Sequence, residues 1–323
     1  MHLYLHIPFC HRICPYCSFY KHTPGDTRMG EFVESLLQEA RFQRERVGGG
    51  LRTLYFGGGT PSMLSPTHLR RLFGGLREIF DWEEVGEVTF EANPATFTAR
   101  TAGLYRDLGV TRVSLGIQSF TEKELRTLGR EHTVAQARES VRVLQEAGGL
   151  EVNIDLMFSV PGQSLADWRV SLEAARDLAP DHVSAYNLTY EEDTRFFEEF
   201  AKGNYRDDEE VNARQYLLAE EILGGAGFEH YETSNYAKAG KRSRHNEAYW
   251  AGRDYLGLGP SAVSTVGGRR WRNVADTAAY VRRVAGLGHA LDEEEVIGAE
   301  EFALERLALM LRTGEGLPRE FLG

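Results

Sequence analysis

Through its first 226 residues the chain alternates between short apolar runs and longer stretches with helical spacing. The runs are Leu3–Pro8, Leu51–Phe56, Val85–Ala92, Arg112–Ile117, Glu151–Phe158 and His182–Leu188. Between them Phe32, Leu36, Leu37 and Ala40 make one helical stripe, and Leu69, Leu72, Phe73 and Leu76 another. Further stripes run through Leu104–Leu108, Val134–Leu144, Trp168–Leu178 and Val211–Leu223. Antiparallel neighbours need only a tight turn, whereas parallel strands need a crossover long enough to hold a helix. The pattern therefore predicts six strand–helix units and a parallel sheet, an α/β fold. Six units suit an open doubly wound sheet or a partly closed barrel, since a closed eight-unit barrel takes about 250 residues. From about residue 228 the pattern becomes irregular and aromatic, with helices expected at Asp276–Ala285 and Glu294–Leu311.

Charge narrows the function classes. Lysine and arginine total 37 against 48 aspartates and glutamates, a net charge of -11. Binding a phosphate backbone needs a basic surface, so no nucleic-acid partner is expected. The opening MHLYLHIPFC is not a secretory leader, and no window of 18 residues is apolar and uncharged, so no transmembrane segment is expected. A cytoplasmic, reducing location is the expectation, and it would leave thiols free to act as ligands.

The chain has three cysteines, Cys10, Cys14 and Cys17, spaced CxxxCxxC directly after the first strand. An odd, local set is not a disulfide framework. Three thiolates on one short loop instead point to a metal centre. Structural zinc takes four protein ligands, so a zinc site would need His6, His11 or His22 as well. A cubane iron–sulfur cluster also takes four thiolates as a rule. With three, one iron keeps an open position for an outside ligand, which suits chemistry better than a structural staple. A thioredoxin-like dithiol fits poorly, because it leaves Cys10 without a role.

The second strand runs into LYFGGGTPSML, where Gly57, Gly58 and Gly59 bring backbone close to a neighbour or ligand and Thr60 adds a hydroxyl. Neither a Walker loop nor the GxGxxG dinucleotide fingerprint is present. Later strands end near Glu91, Gln118, Arg130 and Asp155. Each could be a helix cap or a salt-bridge partner, but strand ends are also where barrels build their sites.

The cysteine triplet resembles that of the radical S-adenosylmethionine enzymes. That resemblance implies a partial (β/α)6 barrel and a 4Fe-4S cluster on Cys10, Cys14 and Cys17. The amino and carboxylate groups of S-adenosylmethionine would chelate the fourth iron, and reductive cleavage would yield a 5′-deoxyadenosyl radical. It also implies that Tyr4, Gly58, Gly59, Thr60, Glu91, Gln118, Arg130 and Asp155 contact the cofactor. Arg130 would fork onto the methionine carboxylate, and Tyr16 would shield the cluster near adenine.

The GGGTP element is similar to that of the HemN/HemW branch, which holds coproporphyrinogen oxidases and heme chaperones. Ser18 and Phe19 follow Cys17 where the oxidases carry a further cysteine, and only two residues precede Leu3 where the oxidases have a long extension. The segment YETSNYAKAGKRSRHNEAYW resembles the chaperone pattern, with HNxxYW at His245, Asn246, Tyr249 and Trp250. The implied function is a heme chaperone that binds heme, a cluster and S-adenosylmethionine and passes heme to an acceptor protein, with His245 as heme contact and an electron donor as partner. The alternative is an oxygen-independent coproporphyrinogen III oxidase performing radical oxidative decarboxylation. The implied organisation is a barrel over 1–226 and an α+β extension over 227–323. In the family run GxGPGAHS this chain reads GLGPSAVS, placing Ser261 and Val263 at the last glycine and the histidine. The run ALERLALMLRTGEGL resembles the point where relatives enter a further C-terminal domain.

Overall fold

The computed structural model describes residues 1–48 and 50–319. The strands are β1 His2–Ile7, β2 Thr53–Gly58, β3 Glu87–Ala92, β4 Arg112–Gln118, β5 Glu151–Phe158, β6 His182–Asn187, β7 Glu229–Glu232, β8 Asn235–Ala237, β9 Tyr255–Leu258, β10 Val263–Val266, β11 Arg269–Asn273 and β12 Leu291–Val296. The helices are α1 Met29–Val47, α2 Pro66–Ile79, α3 Ala99–Asp107, α4 Glu122–Thr127, α5 Val134–Ala147, α6 Leu165–Asp177, α7 Arg195–Ala201, α8 Glu209–Gly225, α9 Arg244–Trp250, α10 Thr277–Leu287 and α11 Ala299–Met310. All strands join one sheet in the order β12-β11-β10-β9-β1-β2-β3-β4-β5-β6-β8-β7. The run β1 to β6 is parallel throughout. It does not close, because β1 pairs with β9 and β6 with β8. The result is a mixed α/β fold with a partial barrel, one of the two forms that six units suit and the one the family resemblance implies.

The six runs are strands, and the helices fall on the six expected stripes. Local chemistry starts them. Ser65 caps α2 ahead of Pro66, and capping boxes open α5 (Thr133 with Gln136) and α6 (Ser164 with Asp167). One helix boundary is corrected. Residues 294–296 do not begin a helix but end β12, where Glu294 lies opposite Trp271 and its carboxylate forms a salt bridge with Arg269. Gly298 then precedes α11.

Alternation sorts the barrel strands into two faces. Leu3, Leu5, Leu54, Phe56, Val88, Phe90, Val113, Leu115, Val152, Ile154 and Val183 are buried outward against the helices. Phe56, for example, stacks on Phe73 of α2 at 4.7 Å between centroids. The residues between them turn to the concave side and are largely polar: Tyr4, Tyr55, Glu91, Ser114, Asn153, Asp155 and Ser184. Register aligns Tyr4 with Tyr55, Glu91 with Ser114, and Asp155 with Ser184. No helix among the described residues is long and apolar enough to cross a membrane.

One buried carboxyl ties the C-terminal strands to the barrel. Glu39 of α1 is fully buried and accepts from Tyr280 Oη at 2.7 Å, the Gly259 amide at 2.9 Å and Asn273 Nδ2 at 2.7 Å. Burial raises its pKa to about 7, and these hydrogen bonds only partly oppose the rise. A folded-state pKa above the unfolded value gives stability that is present below the unfolded pKa and lost as pH rises through the folded one. Against Glu39→Gln, the native chain is therefore expected to lose up to about 3 kcal/mol between pH 4.5 and pH 7. Urea unfolding of both proteins at pH 5 and pH 8 checks this, and a pH-independent difference refutes it.

Candidate cofactor site

The cysteine loop leaves β1 and is tied at its base. The His22 amide donates to the Pro8 carbonyl at 2.8 Å, and the Cys10 amide to the His22 carbonyl at 3.0 Å. Inside that closure Cys10, Cys14 and Cys17 are free, half-buried thiols. The Cys17 amide donates to the Cys14 carbonyl at 3.3 Å, turning the two side by side. Burial pushes the Cys10 and Cys17 thiols up; Thr60 opposes this at Cys10 and Lys21 at Cys17.

Two of the three histidines considered for zinc are already committed. The Tyr20 carbonyl, 2.7 Å from His6 Nε2, can only accept, so that nitrogen carries the proton. His6 Nδ1 then accepts from the Tyr4 hydroxyl at 3.0 Å. His22 likewise donates from Nδ1 to the Thr23 carbonyl and accepts at Nε2 from Thr277, both at 2.7 Å. Thr277 also meets Tyr20, its amide donating to Tyr20 Oη at 2.8 Å. The start of α10 thus clamps the cysteine loop. Among the described residues no three His, Cys, Asp or Glu side chains gather at one ion-sized point.

The glycine triplet is where β2 meets that loop. A Cβ on Gly59 would fall 2.7 Å from the Phe9 carbonyl oxygen, and one on Gly58, at φ +109°, 2.7 Å from the His6 ring. Their bare faces are filled by the protein itself, and the Gly58 amide donates to Glu91 Oε2 at 3.1 Å. Glu91 also accepts from Tyr55 Oη at 2.8 Å, and burial lifts its pKa to about 7. Asp155 accepts from Ser114 Oγ at 2.9 Å and Asn153 Nδ2 at 2.7 Å, and burial raises it too. Neither carboxylate has a salt-bridge partner among the described residues. Gln118 ends β4 at φ +73°. Arg130 donates to Cys14 Sγ at 3.4 Å, Asn93 Oδ1 at 2.5 Å and the Gly116 carbonyl at 2.6 Å, while its Nε is buried without a partner. Tyr16 packs against Phe196, and burial raises its phenol.

Beside this face lies a cleft of about 440 Å³ lined by Tyr4, Tyr55, His245, Tyr249, Val263 and Arg272 among others. His245 is buried, with Nδ1 2.7 Å from Thr53 Oγ1. Burial, helped by His2, lowers its pKa to about 3, so the ring is neutral at ordinary pH. The helix that carries it is held by Glu87, which accepts from Ser243 Oγ and from the amides of Arg244 and His245. The cleft brings Tyr4 of the cofactor set together with His245 and Tyr249. Gln118, Arg130 and the cysteines do not line it. Residue-type reasoning missed Tyr55, Asn93 and Glu87; the period-two polar positions of β2 and β3 were the available signal for the first and last.

The radical SAM superfamily model matches residues 4–175. The heme chaperone HemW of Lactococcus lactis is 36% identical over 316 residues, covering 97% of this chain and 82% of that protein. HemW of Escherichia coli is 34% identical over 323 residues, covering 99% and 85%. The chain belongs to the HemW branch of the radical SAM superfamily. The fold of this HemW-branch chain is also that of the Escherichia coli coproporphyrinogen III oxidase HemN, with a TM-score of 0.83 at 23% identity over 97% of this chain and 75% of that one. The departures from the family run have visible consequences. Ser261 keeps a glycine-like φ of +62°, and its hydroxyl accepts from Arg272 Nη2 at 3.0 Å. Val263, in place of histidine, faces the cleft.

Proposed function

We propose that the chain is a heme chaperone of the HemW type, acting in the reducing cytoplasm. The observation that carries this is the 440 Å³ cleft, in which Tyr4 of the barrel and the HNxxYW residues His245 and Tyr249 share one wall. In this reading Cys10, Cys14 and Cys17 hold a 4Fe-4S cluster, and Arg130 offers its unpartnered Nε to a ligand carboxylate. Glu91 and Asp155, buried with no salt-bridge partner among the described residues, favour a positively charged ligand such as S-adenosylmethionine on the concave face. Tyr4, Tyr16, Gly58, Gly59, Thr60 and Gln118 complete that set. When bound, cluster and S-adenosylmethionine together supply one-electron cleavage of the sulfonium. A neutral His245, oriented by Thr53, would suit contact with heme iron, and Tyr249 would offer a ring to the porphyrin. The barrel over 1–226 would serve the cofactor and the extension over 227–323 the heme, before transfer to an acceptor protein. The cluster would draw its electron from a separate donor.

Heme titration of the wild type against His245→Ala tests this. The expected result is affinity weaker by roughly 10–100-fold with an altered heme spectrum; equal affinity and spectra remove His245 from the site. Incubation with coproporphyrinogen III, reductant and S-adenosylmethionine is expected to leave the substrate unchanged. Formation of protoporphyrinogen IX overturns the chaperone reading in favour of the oxidase.

A further inference from the structure

Two cysteines of the loop are linked by a hydrogen-bond chain that passes through a residue outside the cofactor set. Thr60 Oγ1 lies 3.5 Å from Cys10 Sγ and donates to it. Asn93 Nδ2 donates to Thr60 Oγ1 at 2.9 Å. On the other side of the same amide, Asn93 Oδ1 accepts from Arg130 Nη2, and Arg130 Nη1 donates to Cys14 Sγ. The residue is also held through its main chain. The Asn93 backbone carbonyl accepts from Thr96 Oγ1 at 2.6 Å, and Thr96 meets Ser62 after the glycine loop, also at 2.6 Å. Gly116 lets the side-chain amide approach, since a Cβ there would fall 3.0 Å from Asn93 Oδ1.

The chemistry of the chain has a direction. Arginine can only donate, so it must face the amide oxygen. The amide nitrogen is thereby turned to Thr60, whose oxygen accepts from it. The single hydroxyl proton of Thr60 then has Cys10 as its remaining partner. We propose that Asn93 is a positioning residue that sets both hydrogen bonds to the cluster thiolates and so holds the reduction potential of the cluster up. Hydrogen bonds to cluster sulfurs stabilise the more negative, reduced state and raise the potential. The proposal rests on the cluster reading above.

The test is a set of anaerobically reconstituted proteins, each analysed for iron and titrated for cluster potential by electron paramagnetic resonance. They are the wild type, Thr60→Val, Asn93→Leu, Asn93→Asp and both Asn93 changes in the Thr60→Val background. Asn93→Leu removes both contacts without adding charge. Asn93→Asp keeps the shape but offers Thr60 an acceptor, turning its proton away from Cys10. Its added charge acts equally with or without the Thr60 hydroxyl, so the background separates the two effects. The expected result is full iron in all six and lower potentials in the variants. Each Asn93 change is expected to shift the potential less in the Thr60→Val background than in the native one. Equal shifts in the two backgrounds, or a wild-type potential in iron-loaded Asn93→Leu, overturn the proposal alone. If Asn93→Leu does not fold, the isosteric Asn93→Asp pair decides it. A wild type that takes up no iron overturns the cluster reading and this proposal with it.

Discussion

Replacing any one of Cys10, Cys14 or Cys17 by alanine is expected to take the iron content of the reconstituted chain from about four atoms to nearly none. No other cysteine exists in the sequence to substitute for the lost ligand. His22→Asn is expected to keep its iron, because both ring nitrogens of His22 are already spent on Thr23 and Thr277. Iron analysis with the visible spectrum of the cluster reads both outcomes. Full iron in Cys14→Ala, or loss of iron in His22→Asn, would contradict the assignment of the ligand set.

The second large effect lies at the opposite end of the barrel. Arg112 of β4 is 2% exposed. Its guanidinium reaches Glu151 at 2.6 Å, Glu87 at 3.5 Å and the carbonyl of Lys241 at 2.9 Å. Removing one partner of a buried charge network leaves the others uncompensated, at a cost of about 3–5 kcal/mol. Arg112→Met is expected to lose that much in chemical unfolding. It is also expected to weaken heme binding beyond its effect on stability, because Glu87 holds the start of α9 and hence His245. A near-native unfolding midpoint would show that the network relaxes without cost.

The strand–helix order was legible because each apolar run is short and each stripe has a clear helical period. The cysteine spacing was legible because nothing else in the chain competes with it. The two faces of the barrel were harder to read. Polar residues at the strand ends, Glu91, Gln118 and Asp155, were legible, whereas Tyr55, Ser114 and Asn153 inside the apolar runs were not. Tyr55 stood between Leu54 and Phe56 and read as one more apolar residue, whereas its hydroxyl holds Glu91. Asn93 was visible in TFEANP, but only distances reveal that it joins Thr60 to Arg130. The glycine triplet was expected to open backbone to a ligand, and much of its bareness instead lets the cysteine loop pack against β2. The pairing of β9 with β1 had no local signal, since it joins segments some 250 residues apart.

That pairing also has a consequence during synthesis. β1 leaves the ribosome some 250 residues before β9, yet one of its two edges is covered only by β9. At roughly 5–20 residues per second, the intervening stretch takes on the order of 10–50 s to be made. Throughout that interval the nascent chain carries a parallel strand with an open edge, of the kind that recruits other chains. The cysteine loop waits longer still, because Thr277, which fastens Tyr20 and His22, is translated after β9. Metal delivered early would meet an unfastened loop, so the order of translation itself favours loading after Thr277 has been made.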